Sequence, residues 1–536
     1  MKHSIGAALR GRSESKSNRS SSEEQREPVD EDTTVVEPDQ GNVLSHIISQ
    51  LRPGADLSRV TLPTFILEER SMLERITNFM AHPDTLLPMP QIEDPIDRFV
   101  SVIKFYLSGW HIRPPGVKKP LNPILGETFT CYWNYPDNTR GYYISEQTSH
   151  HPPKSSYFFM APEHHIRVDG TLKPRSKFLG NSAASMMEGI SYLRFMNRGK
   201  SKGGEKYILT QPNMYARGIL FGKMKYELGD HSFVRCPENG LAADIEFKTK
   251  GWVGGTYNAI GGVIKNERTG ETLFEISGFW SGEMTIKDTK TGQKKVLFDA
   301  THAKHAPPLS RPIEEQDERE SQRLWRSTVQ AVHVRDHEVA TTEKAKIEDR
   351  QREEAKRREE LGVEWKPKLF RRVDSRPGGT EEGEEDLEWI INAHLDPKAS
   401  PQELEEKILS IAPILPGQGA LTDHEPKHQS QPATGTHPPA AQKNAGEHLH
   451  ASGNLIDFDS RPPSTAPPES HSSQFQSNHQ QSVSRNNTNL MDDDEHLNNQ
   501  ISKLKMHEAM VPEGQKPLKR ADTDTSEVDV FVDAEG

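Results

Sequence analysis

ETFTCYWNYPDNTRGYYISEQTSHHPPKSSYFFM, residues 127–160, consists of three short runs rich in aromatic and β-branched residues, broken by two turns. Pro136, Asp137 and Asn138 mark the first turn and Pro152-Pro153 the second, because these residue types end a strand and redirect the chain. The same texture continues to about residue 300 in HIRVDGTL, ISYLRF, EKYILT and TLFEISGFWSG. Alternating runs at a spacing of about 8–12 residues predict many antiparallel strands, and so a mainly β fold built as a barrel or a large curled sheet. The glycines of WVGGTYNAIGGVI (252–264) predict bulges or tight hairpins. No Walker-type or dinucleotide fingerprint accompanies them.

Helical patterns flank the strand-rich centre. NVLSHIISQLRPG (42–54) places Leu44, Ile47, Ile48 and Leu51 at i, i+3, i+4 and i+7 before Pro53-Gly54 stops it. A helix shorter than about 12–15 residues is marginal alone, so this one must lean on an apolar partner. It reads as an element docked on the core, a movable lid or a membrane-touching segment. LPTFILEERSMLERITNFMAHPD (62–84) continues into a helix, and DRFVSVIKFYLSGWHI (97–112) reads as a buried one. From 312 to 360 the pattern is helical and heavily charged, ending at GVEWKPKLFRRV (362–373).

Composition places the folded mass. Only 32% of the 536 residues are hydrophobic, and the mean hydropathy is −0.79. Yet 33 of the 37 aromatic residues lie between 42 and 373. That segment can bury a sizeable core, whereas residues 1–41 and the acidic tail 374–536 read as largely disordered. Within the tail, PQELEEKILSIAP (401–413) has a helical pattern. Charge divides in the same way: the flanks carry 18 Lys+Arg against 38 Asp+Glu, leaving 49 against 41 in the centre. A mildly basic domain suits an anionic membrane or a phosphate ligand and is too dispersed for nucleic acid. Two cysteines, Cys131 and Cys236, make no disulfide framework or zinc set and predict a reducing compartment. No signal peptide and no run of about 20 apolar residues is present. The expectation is a soluble, cytoplasmic protein with peripheral membrane contact.

Three constellations carry chemistry. His150 and His151 stand against Pro152-Pro153. An extended segment sends neighbouring side chains to opposite faces, so one metal ion between them is awkward. No third ligand is evident, and neither a metal nor a cofactor is expected. Catalysis would need a nucleophile, and the nearest match to an elbow, GNSAA (180–184), lacks the required glycine and a partnered carboxylate. KKPLNPILGE (118–127) is a proline-stiffened loop offering Lys119 beside Asn122. In EKAKIEDRQR (343–352), Lys344, Glu348 and Arg352 recur every four residues on one helix face. Together these groups suit a phosphate monoester, because charge-assisted hydrogen bonds are the strong ones.

EQTSHHPP (146–153) resembles the signature of the oxysterol-binding-protein-related family. KPLNP at 119–123, K-x-x-x-E-x-x-x-R at 344–352 and W-x-P-x-x-F at 365–370 resemble that family's other motifs. The resemblance spans about 42–373. It implies a near-complete antiparallel β-barrel around an apolar lipid tunnel, an N-terminal helical lid over 42–62, a C-terminal helical subdomain and lipid exchange without catalysis. Carried over by residue, Lys119, Asn122, His150, His151, Lys344, Glu348 and Arg352 would bind phosphatidylinositol 4-phosphate. Leu44, Ile47, Ile48, Ser49, Gln50, Leu51 and Arg52 would form the lid. LPTFILE (62–68), the 116–129 loop and 173–189 are similar to the fungal subgroup carrying phosphatidylserine, in which Leu62 would line the site and Ser176 would touch the headgroup. A sterol/phosphatidylinositol 4-phosphate exchanger or sterol sensor is the alternative within the family.

The C-terminus, TDTSEVDVFVDAEG (523–536), resembles a degenerate acidic peptide of the kind bound by VAP-type receptors of the endoplasmic reticulum. Phe531, Asp533 and Ala534 keep its order, while Val530 and Val532 depart from it. Peripheral placement at contacts between endoplasmic reticulum and plasma membrane is the resulting expectation.

Overall fold

In a computed structural model of the chain, the alternating runs become one antiparallel sheet. The structure describes residues 33–35, 49, 51–57, 62–221, 223–251, 255–373 and 387–419. Its strands are β1 (Thr33–Val35), β2 (Leu67–Ser71), β3 (Lys119–Leu121), β4 (Thr128–Asn134), β5 (Arg140–His150), β6 (Pro153–Ala161), β7 (Ile166–Phe178), β8 (Ser182–Phe195), β9 (Glu205–Leu209), β10 (Asn213–Arg217), β11 (Lys223–Cys236), β12 (Leu241–Lys248), β13 (Ala259–Asn266), β14 (Thr272–Phe279), β15 (Glu283–Asp288), β16 (Lys294–Asp299), β17 (Phe370–Arg372) and β18 (Trp389–Ile391). β4 to β16, with β1 added against β11, form a 14-stranded sheet.

Most strands pair with their sequence neighbours, as a meander requires. The exception lies between the long strands β8 and β11. There β10 pairs with one end of both and β9 with the other. No ladder among the described residues joins β4 to β16. The chain leaving β16 instead returns beside β4, where Leu309 and Tyr132 exchange backbone hydrogen bonds of 2.8 and 2.9 Å. Trp133 Nε1 donates to the Ala306 carbonyl at 3.0 Å on the same stretch.

The interior is filled in part by helix α1 (Pro95–Ser108). Asp94 starts it, accepting hydrogen bonds from the Ile96 and Asp97 amides at 2.8 and 2.9 Å, with Pro95 in the first turn. Phe99, Val102, Ile103 and Tyr106 then join Trp133, Phe159, Leu193 and Ile264 in one buried cluster. The helix expected over 62–84 is broken up: β2 interrupts it, because residues 67–71 pair in parallel with β3. Only Met72–Arg75 and Pro83–Leu86 are α-helical there. The charged segment supplies α2 (Arg326–His333) and α3 (His337–Leu361).

The fold runs past the boundary expected at 373. β17 pairs with β18, and α4 (Pro401–Leu409) follows behind a Ser400–Glu403 capping box. The cause lies in the sheet. Tyr143, Tyr157 and Phe159 face the inner cluster, while Tyr142, Ile144, Phe158 and Met160 form a second one with Ile391, Leu404, Ile408 and Ile414. A sheet apolar on both faces must be covered on both, and residues 387–419 supply the outer cover. At the other end, Thr33–Val35 pairs with β11, so three residues of the segment expected to be disordered are ordered.

Candidate functional site

The 116–127 loop is held from below by a buried carboxylate. Glu127 accepts hydrogen bonds from the Ile124 amide at 3.0 Å, Ser321 Oγ at 2.7 Å and Trp325 Nε1 at 2.9 Å. Burial pushes its carboxyl pKa up, and these donors oppose the shift. Gly126 has φ +74°, and a Cβ there would lie 2.3 Å from the Trp365 ring, so glycine is required at this turn. Leu125 N donates to Gln351 Oε1 of α3 at 2.9 Å. Ile347 of α3 also packs on Leu67, Leu121, Ile124 and Trp325. The proline loop and α3 are thereby locked side by side.

That locking brings Lys119, Asn122, Lys344 and Glu348 to the wall of one cavity. It measures about 240 Å³, counted as the space open to the centre of a water molecule. Lys344 is ion-paired with Glu348 one turn along α3. The pKa of Lys119 is lowered by burial and then by the charge of Lys344. Leu51, Leu57, Leu62, Phe178, Ile219 and Met224 give the same cavity an apolar wall. Ser176 lines it too, opposite Ser185 in the β7–β8 register, so the two hydroxyls share a face.

The histidines stand beside this cavity rather than in its wall. His150 ends β5 and places Nδ1 3.1 Å from the Pro123 carbonyl. Burial, then the neighbouring His151, lower its pKa to about 4, while the Pro123 carbonyl and Glu348 act in the opposite direction. The two rings touch, with centroids 4.5 Å apart. The expectation that they point to opposite faces is therefore corrected: the strand ends at His150 and the chain turns at His151-Pro152, which breaks the alternation. Among the described residues no group of three or more His, Cys, Asp or Glu is gathered as metal ligands.

Arg352 is not brought to the cavity. Its side chain is 64% exposed and pairs with Asp349. Of the expected lid, Leu51 lines the cavity and Arg52 and Ser49 are exposed; Leu44, Ile47, Ile48 and Gln50 lie outside the described residues, as do Phe531, Asp533 and Ala534. Two cations escaped the sequence reading. Lys118 lines the cavity with its ammonium on the Phe65 carbonyl at 2.6 Å, and the Lys118-Lys119 doublet was the available signal. Arg75 lines it while paired with Glu68, and nothing in LERIT marked it. Glu146 of the signature holds structure instead: its carboxylate accepts the Lys368 and Leu369 amides at 2.8 and 2.7 Å. Gln147 fixes the histidine turn by accepting from Ser155 Oγ at 2.6 Å and donating to the Ser149 carbonyl at 2.9 Å.

An apolar chamber with several cations in its wall is an architecture suited to a protein that houses an amphiphile. The oxysterol-binding protein family profile matches residues 46–333 and 326–395, and the chain belongs to that family. It is 53% identical to oxysterol-binding protein-like protein OBPalpha of Candida albicans, over 72% of this chain and 89% of that one. It is 52% identical to oxysterol-binding protein homolog 6 of Saccharomyces cerevisiae, over 76% and 89%, and 56% identical to homolog 7 of the same yeast, over 70% and 85%. The Osh1 ORD domain, solved in complex with ergosterol, shares the fold with TM-score 0.53 and 24% identity, over 63% of this chain and 86% of that one.

Proposed function

We propose that this protein extracts phosphatidylinositol 4-phosphate and phosphatidylserine, one molecule at a time, and exchanges them between membranes without chemically altering either. The observation that carries the reading is the presence of Lys119, Asn122 and Lys344 together in the wall of a single cavity whose lining is otherwise largely apolar. Acyl chains gain by leaving water for such a wall, at roughly 25 cal/mol per Å² buried. An anionic head gains charge-assisted hydrogen bonds from the lysines. One cavity serving both lipids makes them competitors, so loading of one releases the other. Ser176 and Ser185 add hydroxyls suited to a serine headgroup. The likeness of 62–68 and 173–189 to the serine-lipid subgroup supports this second cargo over sterol.

The same reading places the protein peripherally at contacts between endoplasmic reticulum and plasma membrane, with Phe531, Asp533 and Ala534 engaging a VAP-type receptor. Native mass spectrometry of the purified protein, followed by extraction from vesicles holding each lipid in turn, tests the cargo. Co-purifying phosphatidylserine displaced by phosphatidylinositol 4-phosphate supports the proposal. Sterol occupying the cavity in place of phosphatidylserine overturns it. Loss of receptor binding on Phe531→Ala tests the placement.

A further inference from the structure

Two large apolar side chains project into solvent from adjacent turns beside the cavity wall. Leu179, in the β7–β8 turn, is 44% exposed, and Leu220, before β11, is 52% exposed. Each directly follows a residue of the cavity wall: Phe178 and Ile219 face inward and are buried. The turns are tied together. Asn181 accepts the Ile219 amide through its carbonyl and the Leu220 amide through Oδ1, each at 3.1 Å. Leu179 N donates to the Ser182 carbonyl at 2.8 Å, and Gly180 with φ +91° completes that tip. The segment before Leu57 is bound to the same tip through Gly54 N to the Phe178 carbonyl at 2.7 Å. The leucines are therefore held at fixed positions beside the cavity wall.

The charges around them have mainly one sign. Arg52 in the segment bound to the tip, Lys177 near the end of β7 and Lys223 at the start of β11 are exposed beside these turns, and so is one acid among the described residues, Asp56, bridged to Lys177 through the backbone. From this we infer that Leu179 and Leu220 form a wedge that inserts into the acyl boundary of an anionic bilayer, with the surrounding cations on its headgroups. The inference rests on the proposed lipid cargo for its purpose, since it brings the cavity wall against the membrane that holds the cargo. A protein partner fits less well. Two leucines fall far short of the roughly 1,000 Å² that a stable protein interface buries. A bilayer asks only for a shallow apolar insertion supported by basic residues.

The test is flotation of the full chain with phosphatidylcholine vesicles containing about 30 mol% phosphatidylserine, against neutral vesicles. Wild-type protein is expected to bind the anionic vesicles, and Leu179→Asp with Leu220→Asp to weaken that binding about 100-fold, roughly tenfold for each leucine withdrawn. Leu179→Met with Leu220→Met should retain it, and Val296→Asp, at an exposed apolar position on β16, should leave it unchanged. Lipid delivered from detergent micelles, read by native mass spectrometry, should load the double Asp variant as it loads wild type. Unchanged vesicle binding overturns the wedge. So does loss of loading or folding in both the Asp and the Met pairs, since the leucines then belong to the core. A wild-type dimer that the Asp pair dissolves, with vesicle binding intact, overturns it in favour of a second copy. If the cavity carries some other lipid but the Asp pair still loses the vesicles, the wedge stands and only the cargo assignment falls.

Discussion

Lys119 on β3 and Lys344 on α3 face one cavity, and Lys119 feels both its own burial and the charge of Lys344, each lowering its pKa. Two like charges held together by the fold are an unfavourable arrangement that an anion relieves. Glu348 relieves it in part through its ion pair with Lys344. Lys119→Met and Lys344→Met are each expected to weaken binding of a phosphomonoester headgroup by about 10–100-fold, the worth of one charged hydrogen bond. Fluorescence displacement with a short-chain phosphoinositide checks this; a loss below about threefold in both variants would show that the lysines do not touch the head.

His150 is expected to discriminate between the two proposed lipids. With its pKa lowered to about 4 it is neutral at pH 7. A dianionic phosphate beside it would raise that pKa, so binding takes up protons and affinity increases as pH falls. Between pH 8 and 6.5 the dissociation constant for phosphatidylinositol 4-phosphate is expected to fall about threefold to tenfold. His150→Ala with His151→Ala should abolish phosphoinositide extraction and leave phosphatidylserine extraction largely intact. Equal loss of both lipids would refute this division of labour.

The signature stretch shows how far sequence reading reaches. EQTSHHPP pointed to the family at once, yet its residues act in different ways: Glu146 and Gln147 secure backbone, and the histidines stand beside the cavity. Strands β4 to β8 were legible as runs between turns. The nearly continuous apolar stretches GYYI and SYFFM also carried a second message, two-sided burial, which was not read. The outer cover at 387–419 stayed hidden for that reason, since its few apolar residues look sparse without the face they meet. Helical spacing put Arg352 in line with Lys344 and Glu348, but at 3.6 residues per turn each four-residue step drifts about 40° round the helix. Arg352 is thereby carried about 80° off the Lys344 face and out with Asp349, while its neighbour Gln351 keeps the inner side against Leu125. β2 could not be foreseen because its pairing with β3 joins segments far apart in sequence.

The seam between β16 and β4 is expected to make the fold sensitive to acid. His82 Nε2 and His111 Nε2 share a hydrogen bond of 2.8 Å, with His305, Asp84 and Phe298 around them. Burial, aided by the neighbouring imidazoles, lowers the pKa of His111 to about 4, and burial also lowers that of His82, against the pull of Asp84. A histidine whose folded pKa lies below its unfolded value near 6.5 binds more protons when unfolded. Its contribution is thus fully present above pH 6.5 and is lost as pH falls toward 4. His111 alone can account for up to about 3 kcal/mol over that window. Thermal melts from pH 7.5 to 4.5 check this. His111→Gln, which bonds without titrating, should flatten the decline, and an unchanged slope would place the acid sensitivity elsewhere.

Glu146 offers a test of structure apart from cargo. Its two carboxylate oxygens each take one amide, those of Lys368 and Leu369, on the segment that leads into β17. Glu146→Ala would strand two N–H groups beside a buried site, at about 1–3 kcal/mol each. Glu146→Gln keeps the size but turns a donor toward one of them, so it should cost nearly as much. The damage should remain local, because the inner cluster around α1 shares no residue with the outer one that β17, β18 and α4 complete. Hydrogen exchange is expected to quicken at 368–372 and 389–391 while the α1 amides keep their protection, and phosphoinositide binding at Lys119 and Lys344 should fall little. Protection retained across 368–372 would mean that Phe370, Ile391 and their neighbours hold this layer by burial alone, and that the glutamate of the signature serves another purpose.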